Sequence, residues 1–385
     1  MTHNTLAAAP GLPRSERIRW LEQYDWWLLS ALASLLAIGI IIVFSASYYE
    51  GLLRAVPDGF YFLKRQLLWL IVGLAVFLVA AAVPHRIWQS LSPAMFIVAC
   101  LGLITVLAVG TRAFGSQRLL FGASVQTSEI MKIVMIFYTS HWLDSKGEKL
   151  RDNHTGLYPF SLFTACVAIL LVMQPDFTMA ILISTTAFAL FFLASRNLWQ
   201  SLLVGSLFAI LLIVAMATLY SYVPERILDF KESFADPVNS TSWQERNTTR
   251  AAVRGGLFGT GLGQGEMKTL WLVLPWTDSV FAVISEETGF TGSIAVVGLY
   301  AVIAWRGLSI AARATTLFRQ LSAVGLIFML MTQALLHVCV VLNITPVTGM
   351  TLPFISFGGS SLVTWLGAMG VLVNIDHTTR IQANP

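Results

Sequence analysis

The sequence predicts an all-α polytopic membrane protein, with about ten transmembrane helices and a large extracytoplasmic loop between helices 7 and 8. Two observations carry that expectation. Of 385 residues, 56% are hydrophobic and only 11% charged, with a mean hydropathy of +0.73, whereas soluble domains carry roughly a quarter charged residues. Apolar runs of roughly 17–22 residues, each long enough to cross a bilayer, also recur along the chain. Such a composition excludes a disordered chain, a nucleic-acid-binding module and a conventional soluble enzyme. With 24 Lys and Arg against 20 Asp and Glu, the placement of charge is more informative than its sum.

Taken in order, the expected spans are 26–46, 66–83, 93–110, 125–143, 159–174, 177–195, 199–220, 280–304, 321–342 and 361–375. Arg14, Arg17 and Arg19 precede the first run, which lacks a small-residue cleavage site and reads as a signal anchor. Gln174-Pro175-Asp176 reads as a helix–turn–helix junction, because proline ends the fifth helix, and Asp176 is expected to cap the sixth. Cys100, Cys166 and Cys339 lie far apart in apolar runs and behave as small hydrophobes. The organisation is a tail over 1–25, a transmembrane unit over 26–376 and a second tail over 377–385.

Basic residues divide twelve to each side of these spans, but six of the outer twelve fall in the loop 221–279, whose length exempts it from the positive-inside rule. Both termini are therefore expected in the cytoplasm, with the loop outside. Long loops of this kind are usually functional. This one contains the series Gly255-Gly256-x-x-Gly259-x-Gly261-x-Gly263-x-Gly265, which matches neither a P-loop nor a dinucleotide fingerprint. Its glycines either turn the backbone sharply or present N–H groups to an anion.

The stretch Pro275-Trp276-Thr277-Asp278 through Glu286-Glu287 puts three carboxylates at the edge of an apolar helix. A carboxylate in that setting is costly unless it has a task. Asp278 is expected in the first helical turn, where the dipole favours its charge; the bland alternative is a helix N-cap at Thr277 or Asp278. Glu129 and Lys132 share a helix face and can neutralise one another. Arg118 can act as an interfacial anchor. The run Pro346-Val347-Thr348-Gly349 to Pro353-Phe354-Ile355-Ser356-Phe357-Gly358-Gly359-Ser360-Ser361 reads as a broken or re-entrant segment, tolerated only against protein or a wet cavity. No histidine or cysteine cluster has metal-ligand spacing.

These residues resemble the SEDS family of bacterial membrane proteins, the RodA/FtsW/SpoVE type. The matching stretches are Gly115-Ser116-Gln117-Arg118, Ser128-Glu129-x-x-Lys132, Gln174-Pro175-Asp176-Phe177, Glu225-Arg226, Asp236-Pro237, the glycine series, Thr277-Asp278 with Glu286-Glu287, and the Pro353–Ser361 signature. The resemblance implies a peptidoglycan glycosyltransferase of the bacterial inner membrane, acting in cell elongation or division. It would polymerise lipid II and release undecaprenyl diphosphate. The resemblance also implies a class B penicillin-binding protein as partner and a divalent cation, Mg or Mn. The family's histidine before Thr-Asp is replaced here by Trp276, and the glutamate that commonly follows Leu-Pro is missing after Leu274-Pro275.

Glycan polymerisation needs a base for the acceptor hydroxyl and stabilisation of a diphosphate. Asp278 is the expected base, and Arg118, Lys132, Arg226 and Lys268 are the expected diphosphate partners. Glu286 and Glu287 would position these cations or bind the metal, with Glu129, Thr277 and Ser360 completing the substrate site and Trp276 offering a face to a sugar. The competing classes are a flippase for lipid-linked precursors and a non-catalytic scaffold for a partner synthase.

Overall fold

The computed structural model describes residues 24–113, 116–120, 125–195, 198–220, 222–236 and 242–383. The tail bearing Arg14, Arg17 and Arg19 lies outside them. Helices occupy every expected apolar run: α1 (Trp26–Leu52), α2 (Tyr61–Ala82), α3 (His85–Val109), α4 (Thr127–Lys146), α5 (Tyr158–Met173), α6 (Phe177–Ala194), α7 (Leu198–Leu219), α11 (Val280–Arg313), α12 (Leu317–Val341) and α13 (Gly359–Ala383). The loop between α7 and α11 adds α8 (Tyr222–Ala235), α9 (Trp243–Gly255) and the single turn α10 (Met267–Leu270). Between α3 and α4 the chain pairs as a small antiparallel sheet of β1 (Thr111–Ala113), β2 (Ser116–Leu120) and β3 (Val125–Gln126), an addition to an otherwise helical chain.

Among the described residues, seven helical stretches are long and apolar enough to cross a membrane. α4 differs in carrying Glu129, Lys132, Asp144 and Lys146. Helix ends also differ from the apolar runs. α3 begins at His85 and holds Pro93 inside it, and α11 continues to Arg313. An apolar run marks the hydrocarbon-facing part of a helix, whereas backbone hydrogen bonding continues into polar turns.

α4, α12 and α13 form the interior: Met131, Phe137, Leu326, Leu330, Trp365 and Leu372 are all buried. α2 exposes Leu68, Ile71 and Leu78 on its outer face, where lipid would cover them. The α2–α13 contact is tight at Gly370, where a Cβ would lie 2.4 Å from the Phe77 carbonyl oxygen, so small residues set the interhelical distance.

One end of the bundle is tied by ions. Asp25 caps α1, accepting from the Leu28 N–H at 3.1 Å. It also accepts from Arg306 of α11 at 2.8 and 3.0 Å and from Arg380 of α13 at 3.5 Å. Burial raises the Asp25 carboxyl, but hydrogen bonds from Arg306 and the Leu28 N–H, with the charges of Arg306 and Arg380, outweigh it and hold it below the ordinary 3.8. A depressed value in the folded state means that ionised Asp25 stabilises the fold above that pH, and that the contribution is lost as pH falls through the folded-state value. Asp25→Asn should lower stability by about 3 kcal/mol, because two arginines lose a buried partner. It should also flatten the acid limb of a pH series of melting temperatures in detergent.

Candidate active site

Asp278 stands in a tight turn ahead of α11. The turn closes through the Thr277 N–H to the Leu274 carbonyl at 2.9 Å and the Ser279 hydroxyl to the Val273 carbonyl at 2.9 Å. The N-cap of α11 is Ser279, so Asp278 precedes the cap and lies outside the first turn. This corrects the expected position within the first turn. The half-buried Asp278 faces the second broken segment: a Cβ on Gly349 would lie 3.6 Å from its Oδ2.

The Pro353–Ser361 signature holds that turn in place. The Phe357 N–H donates to the Trp276 carbonyl at 2.8 Å, and the Ser356 hydroxyl donates to the Thr277 carbonyl at 2.8 Å. Ser356 Oγ in turn accepts from the Leu352 N–H at 2.8 Å. Tyr300 of α11 donates its hydroxyl to the Pro353 carbonyl. Both irregular stretches thus satisfy each other's backbone, as burial demands. Trp276 is half-buried and packs on Phe62 with ring centroids 4.8 Å apart, so part of its ring is committed to α2.

Behind this turn runs a buried polar chain. Lys132, fully buried, is ion-paired to Glu129 and donates to Gln333 Oε1 at 2.9 Å. Its ammonium also lies 4.5 Å from the Trp365 ring centroid. Gln333 donates to the Thr351 carbonyl at 2.9 Å, and Thr351 donates to Ser361 Oγ at 3.1 Å. Asp176 occupies the N-cap position of α6 without a side-chain cap bond. Its Oδ2 instead accepts from Ser128 at 2.9 Å, a correction to the expected capping role. Ser360, at the start of α13, accepts from the Gln126 N–H at 3.2 Å. Arg118 belongs to β2, and its side chain lies outside the described residues.

The glycine series lies against α11 where Gly289 (φ 68°) interrupts it. The Thr260 and Gly261 N–H groups donate to the Glu286 and Glu287 carbonyls at 2.9 and 3.0 Å. Only glycine permits this approach: a Cβ on Gly255 would lie 1.8 Å from the Ser285 carbonyl oxygen, and one on Gly259 would lie 2.1 Å from that of Glu287. The carboxylates complete the join. Glu286 Oε1 accepts from the Glu266 and Met267 N–H groups at 3.0 and 3.1 Å. Glu287 Oε2 accepts from the Gly263 N–H at 3.0 Å, while its Oε1 takes the Lys268 ammonium and the Ser45 hydroxyl. The anions met by this loop's N–H groups are therefore the chain's own. Glu286, Glu287 and Lys268 are engaged in holding the loop, and Glu287 positions the Lys268 cation.

Arg226 of α8 is exposed and donates to the Val347 carbonyl at 3.1 Å, two residues from Gly349. Among the described residues, no three His, Cys, Asp or Glu side chains converge on a metal-sized space. Gln333 and Thr351 were not among the expected site residues. A lone glutamine in the apolar run of α12 was the available signal, since a polar side chain at membrane depth needs a partner.

The chain as a whole, site included, matches known proteins. The model of the FtsW/RodA/SpoVE family, described as cell cycle protein, matches residues 26–381. The chain belongs to that family. It is 32% identical over 378 residues to the probable peptidoglycan glycosyltransferase FtsW of Geobacter metallireducens, covering 96% of this chain and 98% of that one. It is 34% identical over 350 residues to the stage V sporulation protein E of Bacillus subtilis, covering 90% and 95%. Among solved structures, a chain of a peptidoglycan synthase complex that coordinates polymerization and crosslinking aligns with a TM-score of 0.74 at 27% identity, covering 92% of this chain and 98% of that one. The rod shape determining protein RodA of Thermus thermophilus aligns with a TM-score of 0.66 at 25% identity, covering 93% and 98%.

Glu287→Gln should weaken the loop's attachment while leaving the bundle folded. Amide hydrogen exchange over residues 257–266 should accelerate by about tenfold or more, since a charge-assisted contact contributes roughly 1.5–3 kcal/mol. Unchanged protection there would refute the assignment.

Proposed function

We propose that this protein is a peptidoglycan glycosyltransferase that polymerises lipid II and releases undecaprenyl diphosphate, with Asp278 as the general base. The observation that carries the proposal is the pinned turn. Two hydrogen bonds from Ser356 and Phe357 hold the backbone on which Asp278 stands, one residue ahead of the N-cap position of α11. Pre-organisation of a base at the membrane edge is what the reaction asks of a protein whose two substrates are both lipid-anchored. The names of its FtsW relatives and its likeness to a chain of a synthase complex support the same reaction class.

The chemistry follows from the groups present. Asp278 accepts the proton of the acceptor sugar hydroxyl as its oxygen bonds to the donor's anomeric carbon. The bond from that carbon to the diphosphate oxygen breaks, and the leaving group departs as an anion. Arg226 is the described cation on the Gly349 side of the turn, and we assign it to the diphosphate together with Arg118. Lys132, already balanced by Glu129, supports the site from within. The divalent cation that the resemblance implies would draw ligands from the substrate diphosphate and help neutralise its charge.

We further assign both termini to the cytoplasm and the 221–279 loop to the outer face of the inner membrane, with 1–25 and 377–385 as tails. A class B penicillin-binding protein is the expected partner for crosslinking. The buried Lys132–Gln333–Thr351–Ser361 chain at membrane depth is the feature that would suit a flippase instead.

One assay separates these readings. Reconstituted protein given labelled lipid II should form glycan chains, and Asp278→Asn should reduce the rate by at least a hundredfold, the size of a general-base contribution. Polymerisation by that variant at the wild-type rate would overturn the assignment of the base. Flipping without polymer would identify a transporter, and activity only on addition of a synthase would identify a scaffold. Arg226→Gln should raise the concentration of donor needed, with unchanged donor affinity refuting its role.

A further inference from the structure

At the end of the bundle opposite Asp278, α11 finishes at Arg313, α12 starts at Leu317 and α13 runs out at Ala383. Between them is a cavity of about 270 Å³ lined by Arg313, Thr315, Thr379, Arg380 and Gln382. We propose that this cavity binds the phosphate headgroup of an anionic phospholipid.

Charge is the first reason. Four guanidiniums, those of Arg306, Arg313, Arg319 and Arg380, gather here around two carboxylates, Asp25 and Asp376. Asp376 accepts from Arg313 at 3.2 Å and from Arg380 at 2.8 Å, and Asp25 takes Arg306 and Arg380. Arg319 reaches no carboxylate among the described residues. It is only 3% exposed, its Nη1 donates to Gln382 Oε1 at 3.0 Å, and its Nε is buried without a partner. Arg86 lies near enough to add to the same positive field. A buried guanidinium facing an amide instead of an acid is a site short of an anion.

Chemistry and depth give the ligand. Arginine forks with a neighbouring hydroxyl match the several acceptor oxygens of a phosphate better than a single carboxylate. Thr315 already aligns Gln382, donating to the same Oε1 at 3.1 Å. The cavity lies at the ends of spanning helices, where headgroups lie, and basic pockets between helices at this level select anionic lipids. Ile381, between Arg380 and Gln382 of the lining, and Trp305, about two turns before Arg313 on α11, are 50% and 60% exposed, apolar area that acyl chains would cover. A soluble phosphate would leave those side chains in water.

The test uses the purified full-length protein in detergent, with lipids retained in native mass spectrometry as the readout. Phosphatidylglycerol should be retained in preference to phosphatidylcholine at equal mole fraction. Arg313→Gln should weaken that retention about fivefold, the contribution expected of one arginine at a headgroup. Thr315→Glu, at an exposed position, places a negative charge at the rim and should weaken it at least as much. It also serves if the arginine variant does not fold, with the melting temperature as the control. Equal retention of the two lipids, or retention of phosphatidylglycerol unaffected by the folded variants, would overturn the proposal. Inorganic phosphate binding as tightly as the lipid, with the same sensitivity to Thr315→Glu, would make this a soluble-anion site and overturn the lipid assignment.

Discussion

Two irregular stretches, 274–279 and 343–358, sit against an apolar helical bundle, and their backbone groups have little water to turn to. Each supplies what the other lacks: carbonyls of Trp276 and Thr277 receive the Phe357 N–H and the Ser356 hydroxyl. Leaving such groups unpaired in an apolar setting costs several kcal/mol apiece, so the pairing fixes the conformation of both stretches at once. The placement of Asp278, the approach of Gly349 and the start of α13 all descend from it. The Pro353–Ser361 signature is in this sense a backbone clamp before it is anything chemical.

The same rule explains the glycine series. Its N–H groups meet Glu286, Glu287 and the α11 carbonyls beside the break at Gly289, and glycine is required because a side chain would collide with that helix. Loop and helix thereby become one body, carried by the helix that follows Asp278. Cations sort accordingly. Lys268 is matched to Glu287 and Lys132 to Glu129, whereas Arg226 of α8 reaches across to the Val347 carbonyl. A charge already neutralised in the interior has little field to offer a substrate.

Much of the fold was legible in one dimension. Apolar runs located the helices because a bilayer-crossing segment must hide its backbone in its own hydrogen bonds, leaving its side chains apolar. Asp278 stood out for the complementary reason that a carboxylate at a membrane edge is costly without a task. The partners of Glu286 and Glu287 were not legible, since they lie up to 24 residues away in a loop whose path is set by contact with α11, and as far as 242 residues away at Ser45 of α1. Nor was the turn of Asp176 toward Ser128, 48 residues distant, which local capping rules cannot anticipate.

By itself the sequence determined the class of molecule, the helical segments and the few charges worth attention, because hydropathy and the cost of buried charge are local properties. Only the tertiary structure decided which charges are spent on each other. Glu129 with Lys132, Glu287 with Lys268, and Asp25 with Arg306 and Arg380 are satisfied internally, while Asp278 stands on a turn clamped by a segment some eighty residues later in the chain. Pairing depends on distance and direction in three dimensions, and in a medium this apolar a charge's partner decides its function.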